Sequence, residues 1–462
     1  MKLGTTKLVG LALAMLATGA AAQTSPHDAK AREIFERTIS FRTAKGHAQV
    51  PKMTAYLADT LRAGGVPASD IALLPLGETV AMLVRLPAAG RAAAKPILFS
   101  AHMDVVDARP EDWKRDPFKL VEENGNFFGR GTVDNKAGVT ALASTILRLK
   151  AEGFRPGRDL VFAFVGDEET SMGTTKLIAA HPWAKGAAFA INTDAGGGAL
   201  TPDGKPLIYL VQGAEKTYAT FELTVANPGG HSSRPRADNA IYELAQVLTK
   251  LQAHRFPVMA NGLTRAYLGA VGQAMPGEVG AALKAFAANP QDTAASDRLA
   301  REPEFVGTTR TTCVATMLNA GHAENALPQK ATATVNCRIF PGVAVADVQA
   351  ELARVAGPNV AFKVLDDPQP SPVSEMRPDV TAAITRAVHA NHPGVPVVPY
   401  LESGGTDGKV YRAAGIPTFA TSGIFMRQDE MFAHGLDERV PVKSFYQAVD
   451  HVYRLAKDLG GR

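Results

Sequence analysis

The sequence predicts an α/β protein whose larger domain is interrupted by a small α+β unit, and three observations carry that prediction. Short apolar runs alternate with helix-period segments along the first half of the chain, the pattern changes near Ala214, and the first pattern returns after the proline-bearing stretch DDPQPSPVSEMRP. In the first half, TVAMLVRLP, PILFSAHMD, DLVFAFVGDEE and AAFAINTDAGGG read as strands, with an amphipathic helix at KAGVTALASTILRLKAEG between the second and third. Alternation of this kind implies a largely parallel sheet covered on both faces, and the chemistry of such sheets gathers beyond their strand ends.

From Ala214 onward YATFELTVANPGG reads as a half-exposed strand and NAIYELAQVLTKLQ as a helix. The strands TTCVATML and ATATVNCRIF, the helix VADVQAELARVAG and the strand NVAFKVLD follow. That β-α-β-β-α-β order matches a ferredoxin-like unit. Residues 254–306, weakly periodic and Ala-rich near residue 281, form an insertion within it. The expected organisation is a leader over residues 1–22, a large domain over 23–213 and 367–462, and a small inserted domain over 214–366.

The chain of 462 residues is 46% hydrophobic and 20% charged, which places it among ordinary globular proteins and excludes disordered and fibrous classes. Lys2 and Lys7 precede an apolar stretch over residues 8–17 that ends in small residues before Gln23. This reads as a signal peptide cleaved after Ala22, since the stretch is shorter than the about 20 residues a spanning helix needs. The expected mature protein is periplasmic or secreted and free of the membrane. Net charge is +4, and cleavage removes both lysines and no acid, leaving +2. Without a Lys/Arg run, that excess argues against a nucleic-acid partner. Cys313 and Cys337 lie in the two strands flanking a turn near residue 325, where antiparallel pairing would set them opposite each other. A disulfide and two buried thiols both fit that arrangement.

Candidate chemistry begins with His102 and Asp104 in SAHMD, which close an apolar strand with a spacing that sends both side chains to one face. A metal-binding imidazole steadied by a carboxylate fits, as does a core histidine. Asp134 in GRGTVDNKAG sits just before a helix, a place for a ligand or a plain N-cap. VGDEETSMG ends a strand with Asp167, Glu168 and Glu169 side by side, INTDAGGG adds Asp194, and MFAHGLDERV presents His434 in a loop. Convergence of Asp104, Asp134, Glu168, Glu169 and Asp194 would place up to five negative charges in a small volume, at several kcal/mol per partly buried ion. Two divalent cations would cancel most of that cost, and mixed imidazole and carboxylate ligands suit zinc, with cobalt or manganese as substitutes.

The segments SAHMDVV, GRGTVDNKAG, VGDEETSMG, NTDAGG, GGHSSRP, ENALPQKATATVNCRIFPG, ESGGTDG and HGLDERV together resemble the ordered signatures of one family of dinuclear zinc hydrolases. Acetylornithine deacetylase, succinyl-diaminopimelate desuccinylase, aminoacylase, carnosine dipeptidase and glutamate carboxypeptidase belong to it. The resemblance implies a zinc-peptidase-like catalytic domain, with a mixed sheet flanked by helices, interrupted by a ferredoxin-like lid and dimerisation domain. It also implies two Zn2+ per subunit: His102 and Asp194 on one, His434 and Glu169 on the other, Asp134 bridging both, and a cis peptide between Asp134 and Asn135. Glu168 would be the general base; Asp104 is counted with the catalytic residues as a candidate to steady the metal-binding His102, and Asp167 is assigned a structural role. His231 would stabilise the oxyanion from a partner subunit, while Arg338, Asn325 and the amides of Gly404 and Gly405 would hold the substrate carboxylate. In an extended backbone Glu168 and Glu169 would point to opposite sides, one toward substrate and one toward metal.

The expected activity is hydrolysis of a peptide or N-acyl bond next to a free carboxylate, of carboxypeptidase or dipeptidase type, with N-acyl-amino-acid deacylation as the alternative. The expected partners are a small peptide or N-acyl-amino-acid substrate and a second copy of the chain. An inactive relative that only binds peptide or metal would lack the base or a ligand, and this sequence keeps Glu168 and all five ligands.

Overall fold

The computed structural model describes residues 25–90, 94–365 and 367–461. The leader and its cleavage point lie outside the described residues, as does Asp366, the last residue of the expected small domain. No helix among the described residues is long and apolar enough to cross a membrane.

The fold class is the one the sequence predicts, with a qualification about strand direction. Among the described residues a ten-stranded sheet has the strands Leu160–Val165, Ile97–His102 and Phe189–Asn192 side by side and parallel near its centre. The first two are buried throughout, because residues facing both ways are apolar and helices cover both faces. Helices Pro26–Ile39, Val50–Ala63, Lys136–Ala151, Pro378–His389 and Val442–Gly460 contribute to one apolar core. Gly173–Ala180 and Gly408–Ala413 contribute to a smaller core that includes Ala163, Ile178 and Tyr411.

The sheet is mixed rather than largely parallel. Ile71–Leu76 and Thr79–Leu86 pair antiparallel, as do Gly197–Leu200 and Pro206–Glu215. In each pair the connection, at residues 77–78 and 201–205, is too short for anything but a hairpin. These pairs flank the parallel centre without altering it.

A separate four-stranded antiparallel sheet holds Thr312–Ala320, Lys330–Ile339, Thr217–Ala226 and Val360–Val364 in that spatial order. It is backed by Ala240–Ala253 and Val345–Ala356. The insertion contains the helices Gly262–Ala274, Gly277–Ala288, Thr293–Leu299 and Pro303–Thr309, which enclose their own small core around Leu268, Leu283 and Phe286. Gly and Ala fill much of their packing surface, so their apolar period is faint in the sequence.

Cys313 and Cys337 stand directly opposite each other in the small sheet and are joined as a disulfide. The bond closes a loop with a sequence separation of 24, for which chain entropy gives about 3 kcal/mol of stabilisation. Reduction is therefore expected to lower thermal stability by several degrees without changing far-ultraviolet circular dichroism at room temperature. An unchanged melting temperature in reductant would refute that contribution.

Candidate metal centre

The parallel centre of the large sheet delivers three loops to one place. Ser100 pairs with Asn192 and His102 with Val165, so the chain leaving each strand carries its acids to a shared edge. His102, the last residue of its strand, is fully buried. Its Nδ1 lies 2.9 Å from the backbone carbonyl of Asp104, which leaves Nε2 facing Asp134 Oδ1 at 2.8 Å and Asp194 Oδ1 at 3.1 Å. His434 arrives on the loop before the strand Arg439–Pro441. Its Nε2 lies 3.0 Å from Asp134 Oδ2 and 3.0 Å from Glu169 Oε1.

Asp134 thus spends one oxygen on each imidazole. Ligand atoms of His102, Asp134 and Glu169 lie within 4.8 Å of one another, as do those of His102, Glu168 and Asp194. The contacts of 3.1 Å or less join His102 with Asp194, His434 with Glu169, and Asp134 with both imidazoles.

The carboxylate of Asp104 does something the sequence did not suggest. It lies 3.6 Å from His102 Nδ1, too far for a good hydrogen bond, and accepts instead from the amides of Glu168 and Glu169, at 3.0 Å each. Its backbone orients the imidazole while its side chain orients both glutamates. The two glutamates do not lie in extended backbone as expected. Residues 168–170 form a turn, in which the amides of Thr170, Ser171 and Met172 reach back to the Asp167 carbonyl. Asp167 also accepts from Gly173 N at 2.7 Å and Thr174 N at 2.9 Å, so it ties the turn to the next helix. The Asp134 to Asn135 peptide is cis, and Asn135 Nδ2 donates to Asp194 Oδ1 at 3.1 Å. Gly138 permits this crowding, since a Cβ there would come within 2.0 Å of Asn135 Oδ1 and 2.1 Å of Thr193 Oγ1.

Glu438, in the same HGLDERV stretch as His434, is the functional residue that sequence reasoning passed over. Fully buried, it accepts from Arg130 Nη1 at 2.7 Å, Gly131 N at 3.1 Å, Val133 N at 2.8 Å and Asp134 N at 3.2 Å. Arg130 Nη2 in turn donates to the His434 carbonyl at 3.2 Å. One ion pair therefore anchors both the Asp134 loop and the His434 loop. A usable signal was an acid just before the short strand Arg439–Pro441, four residues past a histidine.

The electrostatics describe a site short of positive charge. Burial, followed by the charge of Asp194, raises Glu168 well above the ordinary carboxylate range, and its Oε1 has no hydrogen-bond partner. Burial also raises Asp194 to about 7, against the pull of His102. Hydrogen bonds to Asp134 and Glu169 raise His434 to about 10. Burial would depress His102, but Asp194 and the hydrogen bonds to its acidic neighbours outweigh it and leave it well above normal. Burial would likewise raise Asp134, yet the two imidazoles hold it low. Imidazole Nε2 atoms and carboxylate oxygens are the donor set divalent transition metals take, and the unpartnered Glu168 oxygen leaves a base free beside them.

The remaining sequence candidates lie elsewhere. His231 and Asn325 are exposed neighbours on a small antiparallel ribbon. His231 Nδ1 contacts Ser233 Oγ at 2.7 Å, and the Asn325 carbonyl accepts from Ser232 N at 3.0 Å. Neither has a hydrogen bond to the cluster among the described residues. Arg338 Nη1 donates to the Ser403 carbonyl at 3.2 Å. Gly404 N donates to Glu402 Oε1 at 3.0 Å, so that amide is occupied rather than open; Gly405 is exposed.

Residues 98–458 match the model of Peptidase family M20/M25/M40. The chain is 30% identical over 377 residues to "Probable carboxypeptidase S-like 2" of Dictyostelium discoideum, covering 79% of this chain and 72% of that protein. It is also 30% identical over 375 residues to human "N-fatty-acyl-amino acid synthase/hydrolase PM20D1", covering 79% and 74%. Among solved structures, an M20 family metallo-carboxypeptidase, Sso-CP2 from Sulfolobus solfataricus, superposes with a TM-score of 0.69 at 19% identity, over 93% of this chain and 98% of that one.

Replacing Glu438 by Gln is expected to weaken the binding of a divalent metal about 10- to 100-fold, read by competition with a chromogenic chelator. Replacing it by Ala strands Arg130 as a buried unpaired charge and is expected to cost about 3 to 5 kcal/mol of stability. Wild-type metal affinity in the Gln variant would disprove the anchoring role.

Proposed function

The chain belongs to peptidase family M20/M25/M40 and is a metal-dependent hydrolase by that membership, and from this premise we propose that it carries two zinc ions and cleaves a peptide or N-acyl bond next to a free carboxylate. The observation that carries the reading is Asp134, whose two oxygens face one imidazole each while a further acid flanks each imidazole. His102 and Asp194 would hold one ion, His434 and Glu169 the other, and Asp134 both. Such a pair of cations lowers the pKa of a water between them and polarises a nearby carbonyl.

Glu168 would accept the proton of the attacking water and return it to the leaving nitrogen. Its burial and unpartnered oxygen support that role, as does the Asp104 clamp on its amide. Arg338 would bind the carboxylate of the departing amino acid, since a guanidinium fork suits two oxygens. The likeness to a carboxypeptidase S-like protein favours peptides. The likeness to an N-fatty-acyl-amino acid synthase/hydrolase favours N-acyl amino acids. The two substrate classes share the amide and the adjacent carboxylate.

The proposed assembly is a homodimer in which His231 donates to the oxyanion of the partner's substrate. The strand Thr312–Ala320 lies at the edge of the small sheet, paired on one side only among the described residues, and exposes Val314, Met317 at 70% and Leu318 at 66%. Nearby elements of the same unit expose Tyr242 at 64%. Apolar edges of this kind invite pairing with another chain. Export is part of the same proposal, supported by the basic and apolar N-terminal stretch and by a disulfide, which suits an oxidising compartment.

Elemental analysis of the purified protein is expected to find two zinc ions per chain, and fewer in His102→Ala and His434→Ala. Glu168→Ala is expected to keep both ions and lose about 100- to 10,000-fold in kcat on dipeptides and N-acyl amino acids. Undiminished turnover in that variant, or no transition metal in the parent, would end this reading. Sedimentation is expected to give a dimer that Met317→Glu dissociates, with a drop in kcat because His231 then has no neighbouring site to reach. Full activity as a monomer would refute the shared site.

A further inference from the structure

Lys216 lies at the junction of the two sheets, one residue beyond the strand Pro206–Glu215 and one before Thr217–Ala226. It is 1% exposed. Its Nζ donates to the Arg310 carbonyl at 2.7 Å and lies 3.5 Å from Thr312 Oγ1. Among the described residues, neither Lys216 nor Arg338 has a carboxylate oxygen within the 4.0 Å of an ion pair. Glu402 is near enough to act on Arg338 through space, but its oxygens are taken up by Tyr400 and by the amides of Ser403 and Gly404. A buried ammonium with only neutral acceptors is costly, and burial, with the charge of Arg338 added, draws Lys216 down to about 7.

The two cations share one face. Tyr218 and Thr312 both pair with Arg338 across the small sheet, and strand alternation puts Lys216 on the side of Tyr218. The Arg338 guanidinium lies 4.7 Å from the Tyr218 ring centroid. Ala219 and Cys337 point the other way, into the core of the small domain. On the open side, Arg338 holds the Ser403 carbonyl, and the last helix of the inserted segment brings up Gly307. A Cβ at Gly307 would sit 3.3 Å from Ser403 Oγ and 3.7 Å from Lys216 Nζ. The missing side chain keeps that approach to the ammonium unfilled.

The geometry points to a carboxylate subsite at this corner, in which Lys216 is a second cation beside Arg338 for the substrate's carboxylate and the inserted helices supply the wall at Gly307. The inference deepens the hydrolase reading and rests on it for the identity of the ligand. It gives the inserted helices a task, since Gly307, in the last of them, flanks the ammonium and Arg310, directly after it, fixes the ammonium. The planar fork of Arg338 sets orientation, whereas Lys216 adds a point charge that is already desolvated.

The test is calorimetric titration of the purified full-length protein with a dipeptide whose amide is reduced to CH2–NH, and with its C-terminal carboxamide. In Lys216→Met the carboxylate form is expected to lose roughly 10- to 100-fold in affinity and the carboxamide to be unaffected. Lys216→Arg should restore most of the loss. Gly307→Leu, which fills the approach and leaves the ammonium in place, should reproduce the loss and serves if Lys216→Met does not fold. Equal losses for both ligands, or no loss for either, overturn the subsite. A parent that discriminates the ligands as expected but cleaves no dipeptide or N-acyl amino acid would leave the subsite standing and remove the hydrolase reading instead. Steady-state kinetics adds a second readout: the effect should fall on KM and spare kcat.

Discussion

Buried negative charge governs this molecule. Asp104, Asp134, Glu168, Glu169 and Asp194 meet around two imidazoles, and the sheet and its helices withdraw Asp104 and Glu168 from water and the other three in part. Two imidazoles cannot match that many carboxylates, and burial pushes Glu168 and Asp194 upward, away from their charged forms. Divalent cations would relieve the same imbalance with far more charge in less space. The proposed chemistry follows from that pressure: ions that compensate buried acids also acidify a water, and the one acid left unbonded stands beside it.

Such crowding persists only if each ligand is held from behind. Asp104 fixes His102 through its backbone and the Glu168 turn through its side chain. Glu438 and Arg130 hold the two loops that carry Asp134 and His434. Asn135 steadies Asp194. These supporting groups are themselves buried and hydrogen-bonded, so neither loop can shift without exposing an unpaired ion or amide. Rigidity at the site is therefore a consequence of polar satisfaction more than of apolar packing.

The small domain contributes charge of the opposite sign. Arg338 and Lys216 stand on one face of its sheet with no acid paired to either among the described residues, across the chain from an acidic metal centre. On the proposed reading an anionic substrate would be drawn toward these cations with its scissile bond at the metal centre, and Lys216 itself lies between the strands of the two sheets. Gly307, in the last inserted helix, borders that corner.

The sequence by itself determined the fold class, the parallel centre of the large sheet, the β-α-β-β-α-β order of the small unit and the acids and histidines at issue. Each of these is written in local periodicity or in a short motif ending a strand, and such signals need no knowledge of distant contacts. The tertiary structure alone decided which acid faces which imidazole, that Asp104 clamps the glutamate turn, that Glu438 joins two loops, and that Lys216 lies buried without an acid. It also decided between a disulfide and two thiols at Cys313 and Cys337, and turned an expected extended run at Glu168 and Glu169 into a turn. The reason is physical. A side chain's type and period fix which way it faces along its own element, but its partners come from segments far away in the chain, and only the packed sheet sets those distances.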